Sequence, residues 1–312
     1  MRKPSEFPRY GDCNKRRQYI PRTPLPTRDF SLIHRDEILS VFAWNVNGLR
    51  ALLKKRPEKL VELWNSERID VLGICETKVA GDAAIIDSVE SAILELLGAD
   101  NVMIVWNPGS IKGYAGTAAI VRLDVAKRMT GFELGPDSES RRITLRFQNI
   151  SVVIVYVPNS GMHLRRLPFR LKEWDPELAG HCIRESTSRK FGVVVAGDFN
   201  CAQRDVDIWN LEQPAILKGA GTTLEERASF KSCFPDQGLR DSFAEMYPND
   251  TGWFTYWSIR AKNKALNRGL RLDYVLTDGK TEILDSVISE EYAAHGDHCP
   301  VGVILHVPRL GI

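Results

Sequence analysis

Val193-Val-Val-Ala-Gly-Asp-Phe-Asn200 is an apolar, β-branched run that stops on a glycine, an acid and an amide. A short apolar run that does not alternate with polar residues reads as a strand buried on both faces. Similar runs recur at 40–46, 69–75, 102–106, 117–121, 152–157, 274–277 and 301–306. Helical patterns lie between some of them. Pro57 suits a first helical turn, with Leu60, Val61 and Trp64 on one face. Ile85, Ile86, Val89, Ile93 and Leu97 repeat at helical spacing, and Gly98 supplies a stop. Asp175-Pro176 reads as a cap plus first turn, and Thr223 with Glu226 fits a capping box. This alternation predicts one α/β domain over residues 38–312.

Upstream the composition changes. The first thirty residues hold five prolines, eight Lys/Arg, three acids and few apolar side chains. Such a segment buries too little surface to offset its chain entropy, so residues 1–37 are expected to form a disordered basic, Pro-rich arm. Lys15, Arg16 and Arg17 read either as a nuclear-import patch, as weak DNA affinity, or as a solvated tail. A mitochondrial presequence fits less well, because the arm is rich in proline rather than serine. The chain of 312 residues is 43% hydrophobic and 26% charged, an ordinary globular balance. Its net charge of +2 names no partner, so any nucleic-acid footprint must be local. No stretch approaches the roughly 18 apolar residues that span a bilayer, and no membrane partner is expected. The six cysteines are scattered, without zinc spacing, and read as reduced thiols of an intracellular protein.

The informative feature is the set of polar residues set just after buried strands. Asn45 and Asn47 follow one run, Glu76 the next, Tyr156 and Asn159 a third, and Asp198 and Asn200 the opening one. Asp273 precedes a strand, and Asp297 with His298 precedes the last. Strand ends of an α/β sandwich share one rim, so these groups can converge there. Carboxylates and amides are oxygen donors suited to a hard divalent ion such as Mg²⁺ and not to zinc. A single histidine beside acids suits a group that meets developing negative charge. Each element alone has an ordinary structural reading: a turn at Asp198–Asn200 or Asn47-Gly48, a cap at Glu76, a core tyrosine at 156. Their joint order is what argues for a site.

These segments resemble the exonuclease III/apurinic–apyrimidinic endonuclease family of the DNase I-like superfamily, from about Val41 to Val307. The motifs that carry the resemblance are Trp-Asn-Val-Asn-Gly-Leu-Arg at 44–50, Glu-Thr-Lys-Val at 76–79, Tyr-Val-Pro-Asn at 156–159, Gly-Asp-Phe-Asn at 197–200, Asn-Arg-Gly-Leu-Arg-Leu-Asp-Tyr at 267–274 and Gly-Asp-His-Cys-Pro at 296–300. The resemblance implies a four-layer α/β/β/α sandwich of two packed mixed sheets flanked by helices. It implies a Mg²⁺-dependent phosphodiesterase of base excision repair, with Mn²⁺ as a substitute, that incises 5′ to abasic sites and trims 3′ ends. By the same resemblance Glu76 is the principal metal ligand, with Asn47 and Asp297 around it. A second ion, where relatives use one, falls near Asp198, Asn200 and His298. Asp198, steadied by Asn200, activates water; His298, paired with Asp273, meets a phosphate oxygen; Tyr156 and Asn159 hold the phosphate; Asn45 supports the metal and Asp198 side.

Arg260 to Arg271 holds five basic residues and no acid, preceded by Trp253, Phe254, Tyr256 and Trp257. Basic charge beside aromatics is what phosphate contact and base or sugar packing require. The expected contacts to double-stranded DNA are Lys78, Tyr114, Tyr256, Trp257, Asn267, Arg268 and Leu270, on a chain acting as a monomer in the nucleus or the mitochondrion. Relatives differ from this chain in having Asp at Asn47 in many eukaryotes, Gln at Cys75, Arg at Met162 and Trp at Leu270 in some animals. Two other readings use the same residues: a phosphodiesterase of this fold acting on another phosphate ester, and a non-catalytic nucleic-acid-binding relative.

Overall fold

The computed structural model describes residues 19–293 and 296–307. Two six-stranded sheets face each other. The first contains β1 (Ile38–Asn45), β2 (Val71–Cys75), β3 (Val102–Asn107) and β4 (Thr117–Arg122). The second contains β5 (Met129–Leu134), β6 (Arg142–Phe147), β7 (Ser151–Tyr156), β8 (Val193–Asp198), β9 (Arg240–Asp241) and β10 (Asp273–Thr277). The chain then returns to complete the first sheet with β11 (Glu282–Ile288) and β12 (Val301–His306). The sheet orders are β11-β12-β1-β2-β4-β3 and β5-β6-β7-β8-β10-β9. Both sheets are mixed, with one parallel pair each at their centres, β1–β2 and β7–β8.

The inner faces make one core. Val41, Ala43, Val71, Ala119 and Val303 from the first sheet meet Ile143, Val152, Ile154, Val194 and Ala196 from the second. Helices close each outer face. Leu49–Lys55, Pro57–Ser66 and Ala83–Leu97 cover Phe42, Trp44, Leu72 and Ile120. Asp175–Ser188 and Leu224–Cys233 cover Val153, Val155, Val193 and Val195. The central strands are thus apolar on both faces because both faces are packed, which gives the expected four-layer sandwich.

Capping matches the local chemistry at Thr223, whose hydroxyl accepts from the Glu226 N–H. Asp175 does not cap: a π-helical turn, Arg170–Trp174, runs straight into the helix ahead of it. The Asp175 carboxylate instead accepts from Ser229 Oγ at 2.7 Å. The expected arm also changes shape. Residues 1–18 of the 1–37 segment, with Cys13 and the Lys15–Arg17 patch, lie outside the described residues. Part of the remaining stretch touches the domain: Ile20 and Leu25 pack on the core, and Ile20 N–H donates to Leu266 O at 3.0 Å. Composition alone carries no information about backbone hydrogen bonds to a distant loop. No helix among the described residues is long and apolar enough to cross a membrane.

Candidate active site

Strand register assembles the site. Tyr156 is opposite Asp198 in the parallel β7–β8 pair, and Asp198 is opposite Asp273 in the antiparallel β8–β10 pair. Three functional side chains therefore lie in a row across adjacent strands. Asn45 ends β1 beside Cys75, and Glu76 follows at once. The rim at Glu76 and Asn47 is built from left-handed backbone, with φ of 54° and 50°. At Gly197 φ is 155°, and a Cβ would stand 1.8 Å from the Val155 carbonyl oxygen. Only glycine fits there, one residue before Asp198.

One amide joins the two halves. Asn45 Nδ2 donates to Glu76 Oε1 at 3.0 Å and to Asp198 Oδ2 at 2.9 Å. Its Oδ1 accepts from the Asn47 N–H at 3.0 Å. Tyr156 OH donates to Glu76 Oε1 at 2.7 Å. Asn47 Nδ2 donates to Asp297 Oδ1 at 3.0 Å, and Lys78 Nζ donates to Asn47 Oδ1 and lies 3.2 Å from Glu76 Oε2. On the other side, His298 Nδ1 pairs with Asp273 Oδ2 at 2.7 Å, and its Nε2 faces Asp198 Oδ2 at 3.9 Å. Asn200 donates twice to Asp198, from N–H at 2.8 Å and from Nδ2 at 3.3 Å. Asn159, exposed at the mouth, donates to Asn200 Oδ1 at 2.8 Å. All ten expected catalytic and metal-side residues form this one connected cluster.

Electrostatics separate the roles. Burial and the neighbouring Asp273 charge push the Asp198 carboxyl up to about 7, against the pull of His298. Burial opposes charging of His298, but Asp273 and Asp198 outweigh it and raise the imidazole to about 10. Burial works against the Glu76 carboxylate too, yet the Asn45 and Tyr156 hydrogen bonds and the Lys78 charge leave it below its ordinary value. Burial first, and then the Glu76 and Asp198 charges, hold the Tyr156 phenol well above its ordinary value. At neutral pH the site thus offers an ionised Glu76, an imidazolium, a phenol O–H, and a carboxylate poised to take a proton.

Two places hold donor atoms for a cation. Asp198, Asp273 and His298 bring ligand atoms within 4.8 Å of one another. There His298 Nδ1 already pairs with Asp273 Oδ2 at 2.7 Å, which leaves its Nε2 on the Asp198 side. Glu76 Oε2 and Asn47 Oδ1 are oxygens that share the Lys78 ammonium. A positive charge already stands between them, and a hard ion fits such a donor set.

Residues 42–298 match the Endonuclease/Exonuclease/phosphatase family. An exodeoxyribonuclease of Bacillus subtilis is 32% identical over 272 residues, covering 86% of this chain and 100% of its own length. The chain belongs to this family, in its exonuclease III/AP endonuclease branch. As a member of that branch it is a hydrolase of the nuclease class. A DNA repair nuclease of Danio rerio is 31% identical, covering 86% of this chain and 83% of its own. The crystal structure of an AP endonuclease from Leishmania major superposes with a TM-score of 0.79 at 27% identity, covering 93% of both chains.

The expected DNA contacts divide by exposure. Lys78, Tyr256, Arg268 and Leu270 are half-buried and Tyr114 is exposed, so each presents surface. Trp257 and Asn267 do not: they are 2% and 0% exposed, and a side chain enclosed by protein cannot touch DNA. Arg271, counted in the basic run, is also buried, in ion pairs with Asp207 and Asp241. Several positioning residues had no signal in the sequence. Thr255 Oγ1 accepts from the Leu272 and Asp273 N–H groups at 2.9 and 3.0 Å, fixing the carboxylate that holds His298. Arg141 lies over the Tyr156 ring at 4.3 Å and donates to Tyr114 OH at 3.0 Å. An arginine inside a strand-rich region reads as surface until its stacking partners are known.

Proposed function

We propose that this nuclease hydrolyses a DNA phosphodiester with Mg²⁺ held at Glu76, incising 5′ to abasic sites and trimming blocked 3′ ends of duplex DNA. The observation that carries the reading is the Asn45 amide, which donates at once to the carboxylates of Glu76 and Asp198. It holds an ion-binding acid and a proton-accepting acid on one pivot, as water attack on a phosphate beside a metal requires.

Glu76, Asn47 and Asp297 would hold the ion. When bound there, it supplies Lewis-acid stabilisation of phosphate charge and a template for in-line attack; Mn²⁺, another oxygen-seeking ion, would substitute. Asp198 takes the proton of the attacking water, and Asn200 fixes the direction of its lone pairs. His298 donates to a phosphate oxygen as charge grows, and Asp273 keeps it protonated and aimed. Tyr156 turns its one O–H, donated to Glu76 before substrate binds, toward the same phosphate, and Asn159 offers an amide N–H. One ion suffices, since the Asp198, Asp273 and His298 group already serves proton transfer. Lys78, Tyr114, Tyr256, Arg268 and Leu270 contact the duplex. The chain acts as a monomer, in the nucleus or in mitochondria.

The test is incubation of the purified protein, with Mg²⁺ or with EDTA, on matched duplexes: intact, bearing an abasic analogue, and 3′-blocked. Cleavage of the last two in Mg²⁺ alone is expected. Release of inositol phosphate or phosphocholine from lipid without any DNA cleavage would move the substrate to another phosphate ester.

A further inference from the structure

Upstream of the family match at residues 42–298, residues 20–23 are held on the domain by side-chain and backbone hydrogen bonds to the 251–267 loop and to Glu290. Ile20 N–H donates to Leu266 O at 3.0 Å, and Thr23 N–H to Thr251 O at 3.2 Å. Trp253 Nε1 returns a bond to Thr23 O at 2.9 Å. Arg22 pairs through both guanidinium nitrogens with the Glu290 carboxylate, donates to Asn267 Oδ1 at 3.2 Å, and lies 5.6 Å over the Trp253 ring. The approach is close enough to dictate sequence: a Cβ on Gly252 would stand 2.2 Å from Pro21 O.

Asn267 is the hub of these contacts. Its Nδ2 donates to Ile20 O at 2.9 Å and Gly252 O at 2.8 Å, and its Oδ1 accepts from Arg22 and from Trp257 Nε1 at 3.2 Å. All four hydrogen bonds of the amide are made, which explains its burial. The Trp257 backbone N–H in turn donates to Asp297 O at 2.8 Å, next to His298. The loop so tied carries the exposed Arg260, Lys262 and Lys264. Like charges on one loop repel and favour spread conformations. A tether that fixes the loop before DNA arrives removes an ordering cost from binding.

We propose that residues 19–28 form a clasp, with Arg22 as its positioning residue, that pre-orders the 251–271 loop against the Glu290 turn for gripping duplex DNA. The clasp rests on the DNA-hydrolase reading for its kinetic consequence, though not for its structural one.

The test uses full-length protein with Arg22→Met, which keeps the aliphatic stem, and Arg22→Lys, which keeps the charge. On an abasic duplex, Arg22→Met is expected to raise KM roughly tenfold with kcat within about twofold, and Arg22→Lys to stay within about threefold of wild-type KM. Without DNA, amide hydrogen exchange over residues 258–270 should speed up in Arg22→Met and not in Arg22→Lys. Unchanged KM and exchange in Arg22→Met, or a fall in kcat with KM unmoved, would overturn the clasp. A wild-type protein that cleaves no DNA would end the substrate reading, while the exchange measurement still decides the clasp.

Discussion

Asp198 ends β8 with 1% of its surface exposed, beside the Asp273 carboxylate and facing His298. Its folded pKa, raised to about 7, means that the folded chain binds this proton more tightly than the unfolded chain does. That preference stabilises the fold below the ordinary carboxylate range and is lost as pH rises through about 7. Asp198→Asn has no such proton to lose. In EDTA, its melting temperature relative to wild type should therefore shift in its favour between about pH 5 and pH 8. A flat difference across that range would remove the argument for a strained carboxylate. On the proposed mechanism, in which Asp198 is the general base, the same variant should lose about 10²–10⁴-fold in kcat in Mg²⁺. A residue so costly to ionise and so useful for proton transfer was legible in the sequence as an acid stopping an apolar strand. The Asp273–His298 pair and the support from Asn45 were expected only through the family resemblance. Trp257 and Asn267 misled for the opposite reason: aromatic and amide types suit a DNA surface, and only tertiary placement reveals that theirs face inward.

The strands that hold those residues differ in how they announced themselves. β1, β2, β7 and β8 are packed on both faces, so their sequences are continuous apolar runs. β6 carries Arg142 and Arg146 on its outer face, paired with Glu177 and with Glu185 and Glu133 from neighbouring elements. β5 is an edge strand exposed along most of its length, and β11 has a register shift between Ile283 and Asp285. β6 alternates strictly, with Ile143, Leu145 and Phe147 facing the core, but a reading that sought unbroken apolar runs passed over all three. The helix Asp175–Ser188 docks on β6 through His181, whose Nε2 lies 2.8 Å from Thr144 Oγ1. Burial, and then the Arg142 charge, hold that imidazole below its ordinary value. A lowered histidine pKa gives stability that is present above the unfolded value and lost as pH falls. Wild type should accordingly lose more melting temperature than His181→Gln between about pH 7.5 and pH 5. Parallel slopes would show that the docking does not depend on a neutral His181. A second test belongs to β8 itself. Gly197→Ala drives a Cβ into the Val155 carbonyl at a backbone angle that favours glycine, and should cost roughly 3 kcal/mol or more in denaturant unfolding.

Across the whole molecule, the site is split between the sheets: Asn45, Asn47 and Glu76 leave the first, and Tyr156, Asp198 and Asp273 belong to the second. On the proposed mechanism, catalysis then depends on the spacing of two layers that no single strand controls. Gly73, central in β2, lets the layers approach, since a Cβ there would meet Ile154 Cγ2 at 2.5 Å and Cδ1 at 2.6 Å. Gly73→Ala must push against a packed core, and close-packed interiors shift as blocks instead of yielding locally. The displacement would pass along β2 to Glu76, three residues on, and stretch the Asn45 bridge to Asp198. A misplacement of about 1 Å costs on the order of 10²-fold in rate, so kcat should fall by that scale even well below the melting temperature. Ile154→Ala removes the atoms in conflict. Combined with Gly73→Ala, it should recover most of the lost kcat, although alone it leaves a cavity and lowers stability by about 2–5 kcal/mol. Recovery in the double variant, measured at a temperature where both single variants stay folded, would tie turnover to sheet spacing. If the double variant were merely as slow as Gly73→Ala, the two halves of the site would be aligned by something other than this contact.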